Sequence, residues 1–93
     1  MFENKKVVVL GLARSGVAAS KFLRKRGCDV TVVDKAKTYD EKVLDELESL
    51  GIKVILGSQP DDLIESSVDY LIKNPGVPID HKYILKCNEL GIP

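Results

Sequence analysis

Apolar and polar residues follow one another along this chain in blocks that predict a strand and then a helix. The stretch KKVVVLG is a short β-branched run that ends at a glycine, which is typical of a strand buried on both faces. Residues 16–26 then have helical spacing, with Lys21, Arg24 and Lys25 on the predicted exposed face. The predicted buried face consists of Val17, Ala18, Ala19, Phe22 and Leu23. Gly27 predicts the end of this helix.

The alternation continues to the end of the chain. CDVTVVD predicts a second strand, IKVILG a third and VDYLIKN a fourth, while DDLIES predicts one helical turn. The second helix has a T-x-x-E capping box, Thr38 to Glu41, and a predicted buried stripe of Val43, Leu44, Leu47 and Leu50. Asp80 predicts the cap of a last helix that ends at Gly91. Its predicted apolar positions are Tyr83, Ile84, Cys87 and Leu90.

This order of elements predicts the α/β class. Strands that alternate with helices indicate a parallel sheet, and right-handed crossovers leave few topologies. We therefore expect a Rossmann-like open parallel sheet with strand order 3-2-1-4 and helices on both faces. The 93 residues suffice for one domain, 1–93. Because no strand follows the last helix, we expect this domain to be the front part of a longer protein.

Composition narrows the class of protein further. The formal net charge is zero, which gives no basic surface for nucleic acid, and no apolar run reaches the length of a membrane span. Cys28 and Cys87 are far apart in sequence and His81 is the only histidine, so no zinc-site spacing occurs. We expect both cysteines to be reduced and partly buried in a soluble, intracellular protein.

Ligands of open α/β sheets bind beyond the carboxyl ends of the strands, where the strand order reverses. In the predicted order, that point lies between strands 1 and 4. Three loops should converge near it: GLARSG, DKAK and NPGVP.

The first of these loops leads into a helix N-terminus, which favours an anion. Gly11 permits a tight turn and Gly16 permits close packing of helix on strand, while Ala13 replaces the middle glycine of a dinucleotide loop. Arg14 and Ser15 could pair with a phosphate. The alternative is a plain strand–helix turn, with Ser15 as N-cap and Arg14 in solvent.

The other two loops each allow two interpretations. Asp34 follows Gly11 by 23 residues, close to the offset of a ribose-binding acid, so it is either an acceptor for a ribose or base or an exposed strand-end acid. The NPGVP turn either displays backbone groups to a flat or sugar-like ligand or serves as a rigid connection. We expect Lys35 and Lys37 to be solvated, His81 to lie on the surface and Cys87 in the core. No residue suggests a general base, nucleophile or metal ligand, so a binding domain is predicted.

Together these loops resemble the N-terminal domain of the bacterial Mur ligases, along essentially the whole chain. The G-L-x-x-[ST]-G loop followed by N-P-G-V fits the D-glutamate-adding members best. The resemblance implies a three-domain cytoplasmic enzyme of peptidoglycan precursor synthesis. In such an enzyme ATP phosphorylates the carboxylate of UDP-MurNAc-L-alanine, and the amine of D-glutamate then forms the amide. The first domain would bind the uridine diphosphate, and the central and C-terminal domains would bind ATP, Mg²⁺ and the amino acid.

The resemblance also implies roles for single residues. It places the diphosphate at the first loop, the uracil at Asp34 and Lys35, and the closing turn at residues 74–76. The substrate-binding residues so predicted are Gly11, Ala13, Arg14, Ser15, Gly16, Asp34, Lys35, Asn74, Pro75 and Gly76. Where relatives offer a hydroxyl and an arginine, this chain has Lys35 and Ala36. The P-loop is missing from these residues, so we expect this chain alone to be inactive.

Two other functions compete with this one. An NAD(P)-binding domain of a dehydrogenase is favoured by Asp34, and opposed by Ala13 and by the lack of a catalytic residue. A regulatory nucleotide-sensing module would need no enzymatic partner domains. A UDP-sugar diphosphate would not require the strict glycine of an NAD loop, so Ala13 favours the ligase.

Overall fold

A computed structural model describes residues 4–73, 78 and 80–93. The elements are β1 (Lys6–Leu10), α1 (Arg14–Lys25), β2 (Asp29–Asp34), α2 (Glu41–Ser49), β3 (Lys53–Leu56), β4 (Tyr70–Lys73) and α3 (Lys82–Leu90). All strand pairs are parallel and the sheet order is β3-β2-β1-β4. The predicted fold class and strand order are therefore confirmed.

Strand β1 lies at the centre of the sheet and contributes to both faces of the core. Val7 and Val9 face the layer that contains α1 and α2, whereas Val8 and Leu10 face the layer that contains α3. All four side chains are at most 2% exposed. This burial explains the uninterrupted β-branched run, because a strand covered on both faces has no position for a polar side chain.

Helix α1 is rotated relative to the predicted stripe. Its buried residues are Gly16, Ser20 and Leu23, while Phe22 is 51% exposed and lies under the Arg26 guanidinium. Arg24, predicted to be exposed, is half-buried. Its Nε donates to Leu50 O at 2.7 Å and its Nη1 to Cys28 O at 3.0 Å. The predictions for Phe22 and Arg24 are wrong because Gly16 must face β1, which turns position 22 about 120° away from the sheet.

Two helix caps also differ from the predictions. Helix α2 begins at Glu41, and Asp40 Oδ1 accepts from the N–H groups of Lys42 and Val43, so the predicted capping box from Thr38 does not form. Helix α3 is capped by His81 rather than Asp80, because the ring Nδ1 reaches the N–H of Tyr83. The αL residue Gly91 ends α3 as predicted.

The connection between β3 and β4 contains turns and no helix. Residues 61–66, predicted as one helical turn, form turns, including a Leu63 N–H to Pro60 C=O contact of 3.4 Å. The segment still enters the core, because Ile64 and Val68 pack beside Tyr83 and Cys87 of α3. It therefore lies on the α3 side of the sheet.

Both cysteines lie in the hydrophobic core, on opposite faces of the sheet. Cys28 and Cys87 are both free and buried, more completely than the partial burial predicted, and burial raises the pKa of each thiol. Within the described ranges, the helices are too short and too polar for any of them to cross a bilayer.

Candidate functional site

A cleft of about 340 Å³ lies at the carboxyl ends of the strands, where the sequence predicted the ligand. One side comes from the ends of β1 and β2, and the other from the connections that follow β3 and β4. Its lining residues are Leu10, Gly11, Val33, Asp34, Lys35, Gln59, Pro78 and His81. Three of the predicted site residues, Gly11, Asp34 and Lys35, are thus brought together in one cavity.

The β1–α1 loop makes a close approach between strand and helix. Gly11 has φ +105° and its N–H donates to Val33 O at 2.8 Å. A Cβ on Gly16 would lie 2.3 Å from Gly11 O, far closer than atoms can approach. Both glycines therefore have the predicted roles: Gly11 makes the tight turn, and Gly16 lets α1 pack against the loop.

The N-terminus of α1 has the features of an anion site. Ala13 is the N-cap, and its side chain makes no capping hydrogen bond. The first turn holds no acidic residue, and the first helical bond is Val17 N–H to Ala13 O at 2.9 Å. The preceding N–H groups thus lie outside the helical ladder, at the positive end of the dipole. The predicted Ser15 cap is therefore wrong, while Arg14 is exposed, as the plain-turn alternative expected.

The residues of that first turn lie next to the cleft rather than in its lining. Ala13, Arg14 and Ser15 are exposed, and Gly16 is buried under the loop. The methyl group of Ala13 therefore takes up no room in the packed part of the loop. A ligand that reached both the cleft and this helix end would be elongated, with its anionic part at α1.

Asp34 joins two of the converging loops. Its Oδ2 accepts from Leu12 N–H and its Oδ1 from Ala36 N–H, both at 2.8 Å. The side chain is half-exposed at the cleft, and each oxygen keeps a second lone pair for a ligand. Neither of the two predicted interpretations included this role, because the sequence does not show that the loop backbones reach the carboxylate.

The second loop is closed by a glycine that follows β3. Gly57, at φ +77°, donates its N–H to the carbonyl oxygens of Asp34 at 3.0 Å and Ala36 at 2.9 Å. Lys35, between these two acceptors, is exposed and lines the cleft. Lys37 is exposed as predicted.

Predictions for the third loop have mixed outcomes. Asn74, Pro75 and Gly76 lie outside the described residues, while Pro78 lines the cleft. His81 was predicted to be a surface residue, and this is wrong. It is half-buried, caps α3 and lines the cleft, and its Nε2 lies 3.3 Å from Gln59 Oε1.

His81 and Gln59 could have been found by one signal in the sequence. Each follows the carboxyl end of a predicted strand, Gln59 after the third and His81 after the fourth. All such ends meet at one edge of a parallel sheet.

Burial lowers the pKa of His81, and the charges of Lys82 and Lys35 lower it further, against a smaller opposite effect of Asp80.

Sequence comparison places the whole chain in one family. The family described as Mur ligase MurD-like, N-terminal domain, matches residues 5–93. A UDP-N-acetylmuramoylalanine--D-glutamate ligase of Enterococcus hirae is 50% identical over 92 residues, which are 98% of this chain and 20% of that protein. A protein of the same name from Streptococcus agalactiae is 50% identical over 93 residues, 99% of this chain and 20% of its own length.

Structure comparison agrees on the fold. The solved structure of SirC, precorrin-2 dehydrogenase, superposes with a TM-score of 0.61 at 19% identity, over 99% of this chain and 42% of that one. At this identity the likeness shows a shared Rossmann-like fold. The chain spans about a fifth of the length of the ligases that it matches. On the family match and these identities, the chain belongs to the MurD-like N-terminal domains of the Mur ligases.

Proposed function

We propose that this chain is the UDP-binding N-terminal domain of an ATP-dependent ligase that joins D-glutamate to UDP-MurNAc-L-alanine. The observation that carries the proposal is the cleft at the ends of β1 and β2, next to the start of α1, whose first turn has no acidic residue and whose N-cap makes no side-chain hydrogen bond. The substrate class comes from the relatives, which are UDP-N-acetylmuramoylalanine--D-glutamate ligases.

In this proposal, the nucleotide lies along the edge of the sheet. The diphosphate takes the N–H groups at the start of α1, with the Arg14 guanidinium as a second contact. The uracil lies in the cleft beside Asp34 and Lys35. The turn at Asn74, Pro75 and Gly76 closes on the nucleotide, as the family resemblance implies.

ATP and Mg²⁺ are assigned elsewhere. The sequence has no G-x-x-x-x-G-K-[ST], and residues 4–73, 78 and 80–93 contain no group of three metal-ligating side chains. We propose that residues 1–93 form one domain of a longer cytoplasmic enzyme, whose central and C-terminal domains bind ATP, Mg²⁺ and D-glutamate. The 93-residue chain alone should then be inactive.

An amide NMR titration with UDP, and separately with NAD, tests this proposal. We expect UDP to shift the amide signals of residues 11–16, Asp34 and Gly76, and NAD to leave them in place. Shifts with NAD alone would overturn the proposal and favour the dehydrogenase alternative.

A matched pair of variants sharpens the assignment of the diphosphate. Arg14→Gln removes the guanidinium at the start of α1, and we expect UDP affinity to fall about fivefold, the cost of one charged hydrogen bond partly exposed to water. Arg26→Gln removes a guanidinium at the other end of the same helix, where it lies over Phe22. Equal affinities of the two variants would show that Arg14 does not contact the ligand.

A further inference from the structure

Gln59 and His81 form a side-chain pair on the α3 side of the cleft. Gln59 follows β3, His81 caps α3, and both line the cavity that Asp34 enters from β2. The His81 Nε2 and Gln59 Oε1 atoms are 3.3 Å apart. Neither residue belongs to the predicted nucleotide-binding set, so the pair has no role in the function proposed so far.

The cap of α3 determines which ring nitrogen of His81 holds the hydrogen. Nδ1 accepts the N–H of Tyr83 at 3.1 Å, so it must present a lone pair. A neutral imidazole then has its hydrogen on Nε2. Burial and the charges of Lys82 and Lys35, opposed by Asp80, lower the pKa of His81 and keep this neutral form dominant at pH 7.

The ring in turn determines which way the Gln59 carboxamide points. An Nε2–H donor requires an acceptor opposite it, so the Gln59 atom that faces the ring is the carbonyl oxygen. The NH₂ group occupies the other end of the amide, and none of the described residues accepts a hydrogen bond from it. A donor that has no partner among residues 4–73, 78 and 80–93 is thus held in the wall of the cavity.

The backbone around Gln59 is fixed as well. Its carbonyl oxygen accepts from Lys82 Nζ, and the next carbonyl, of Pro60, accepts from Tyr83 Oη at 2.7 Å. Both partners belong to the first turn of α3, which also holds the ring of His81. The donor is therefore positioned by three contacts to one helix, and it does not depend on a flexible loop.

We propose that His81 orients Gln59 so that its NH₂ group donates to the O4 carbonyl oxygen of the bound base, and that this donor selects uracil over cytosine. The inference rests on the proposed UDP site. Uracil presents an N3–H donor beside its O4 acceptor, whereas cytosine presents an N3 acceptor beside an N4 amino group. An acceptor from Asp34 and a donor from Gln59 match the first arrangement and oppose the second. Gln59 is thus a specificity residue, and His81 is its positioning residue.

Calorimetric affinities for UDP and CDP at pH 8, where His81 is neutral, test the inference on the whole chain and two variants. Gln59→Met removes the donor and leaves the α3 cap intact. We expect UDP affinity to fall about fivefold to tenfold, one lost hydrogen bond, while CDP affinity is unchanged or rises. His81→Asn keeps a side-chain oxygen that can cap α3 but cannot orient Gln59, so the UDP-to-CDP affinity ratio should fall while the fold is retained.

Glu89→Gln is the matched control on α3. It breaks the exposed ion pair between Lys86 and Glu89, with an Nζ to Oε1 distance of 3.9 Å, without touching the cavity lining. We expect it to keep the wild-type UDP-to-CDP ratio, as a change that is only structural would.

The outcomes separate the two proposals. If the unmodified chain binds UDP and all four proteins have the same UDP-to-CDP ratio, the role of Gln59 is overturned and the UDP site stands. If the unmodified chain fails to bind UDP, the UDP site and this inference are both overturned. A lower ratio in the Gln59 variant alone would support the donor and overturn the positioning role of His81.

Discussion

On the α1 side of the cleft, most of the contacts are made by backbone groups, whereas on the α3 side they are made by side chains. Gly11 and Gly16 bring strand and helix together, and two loop N–H groups converge on Asp34. Across the cleft, a ring, a carboxamide and a phenol connect the β3–β4 segment to α3. A wall built from backbone groups tolerates little change in shape, while a wall built from side chains can vary in chemistry on the same frame.

Among changes to the two sides of the cleft, Gly16→Ala on the α1 side should reduce stability the most. The new methyl group would meet the Gly11 carbonyl at 2.3 Å, and neither backbone can move without disturbing β1. We expect the free energy of unfolding to fall by about 3 kcal/mol, even though alanine favours a helix over glycine by about 1 kcal/mol. Urea denaturation gives the value, and a variant as stable as the wild type would contradict the close approach.

Gly91→Ala is the control for that substitution. This glycine has φ +71° but no atom within 4 Å of the added Cβ. Only the cost of the left-handed conformation remains, about 1 kcal/mol. UDP binding should be unchanged, because Gly91 ends α3, whereas His81, which lines the cleft, lies at the opposite end of that helix.

Asp34→Ala should have the next largest effect. It removes the acceptor of two N–H groups, and Leu12 is only 2% exposed, so its N–H would be left without a partner away from water. We expect a loss of about 2 kcal/mol in unfolding free energy by urea denaturation. Asp34→Asn keeps one acceptor oxygen and should lose about half as much. If the two variants are equally stable, the carboxylate does not join both loops.

Tyr83→Phe tests the α3 side with a smaller change. It deletes the hydroxyl that donates to Pro60 O, and we expect to lose about 1 kcal/mol in the same assay. Burial, with the charges of Asp61 and Asp62, raises the pKa of Tyr83 to about 12 from 10.0. The stability that this shift represents is therefore complete below pH 10 and lost as the pH rises through 12. Absorbance titration should show a late-ionising tyrosine that is missing from the variant.

Protonation of His81 should give the smallest effect. Its pKa in the folded protein is below 6.5, chiefly through burial and then through Lys82 and Lys35, with Asp80 opposing. The unfolded chain consequently binds this proton more readily, so stability should fall as the pH drops below 6.5 and level off below the folded pKa. His81→Asn, with a cap that does not titrate, should lose this part of the slope in thermal unfolding between pH 7 and pH 5. An identical slope in both proteins would contradict the neutral ring.

The strands and their order could be predicted from the sequence because they depend on features that the sequence displays directly. β-branched runs separated by helical spacing leave few arrangements of a parallel sheet, and Gly16 marked the packing of α1. The rotation of α1 could not be predicted by averaging its apolar positions. The Gly16 approach decides it, so Phe22 lies in solvent while Arg24 binds two carbonyl groups.

The helix caps and the α3 side of the cleft could not be predicted for a related reason. Polar residues one or two positions apart compete for the same N–H groups, and packing decides between them. Tyr39 packs against the core, and Asp40 rather than Thr38 then reaches the start of α2. Gln59 and His81 are 22 positions apart in sequence, and only the fold reveals that they meet.

Asp34 gives the chain a built-in reporter. Because its two oxygens hold the amides of Leu12 and Ala36, anything that withdraws electron density from the carboxylate weakens both bonds at once. A ligand that donates a hydrogen bond to Asp34 from the cleft should shift the amide proton resonances of Leu12 and Ala36 together and in the same direction. An anion that binds only at the start of α1 should leave Ala36 unmoved. Two signals, 24 residues apart in sequence, would thus distinguish where along the sheet edge a molecule has bound.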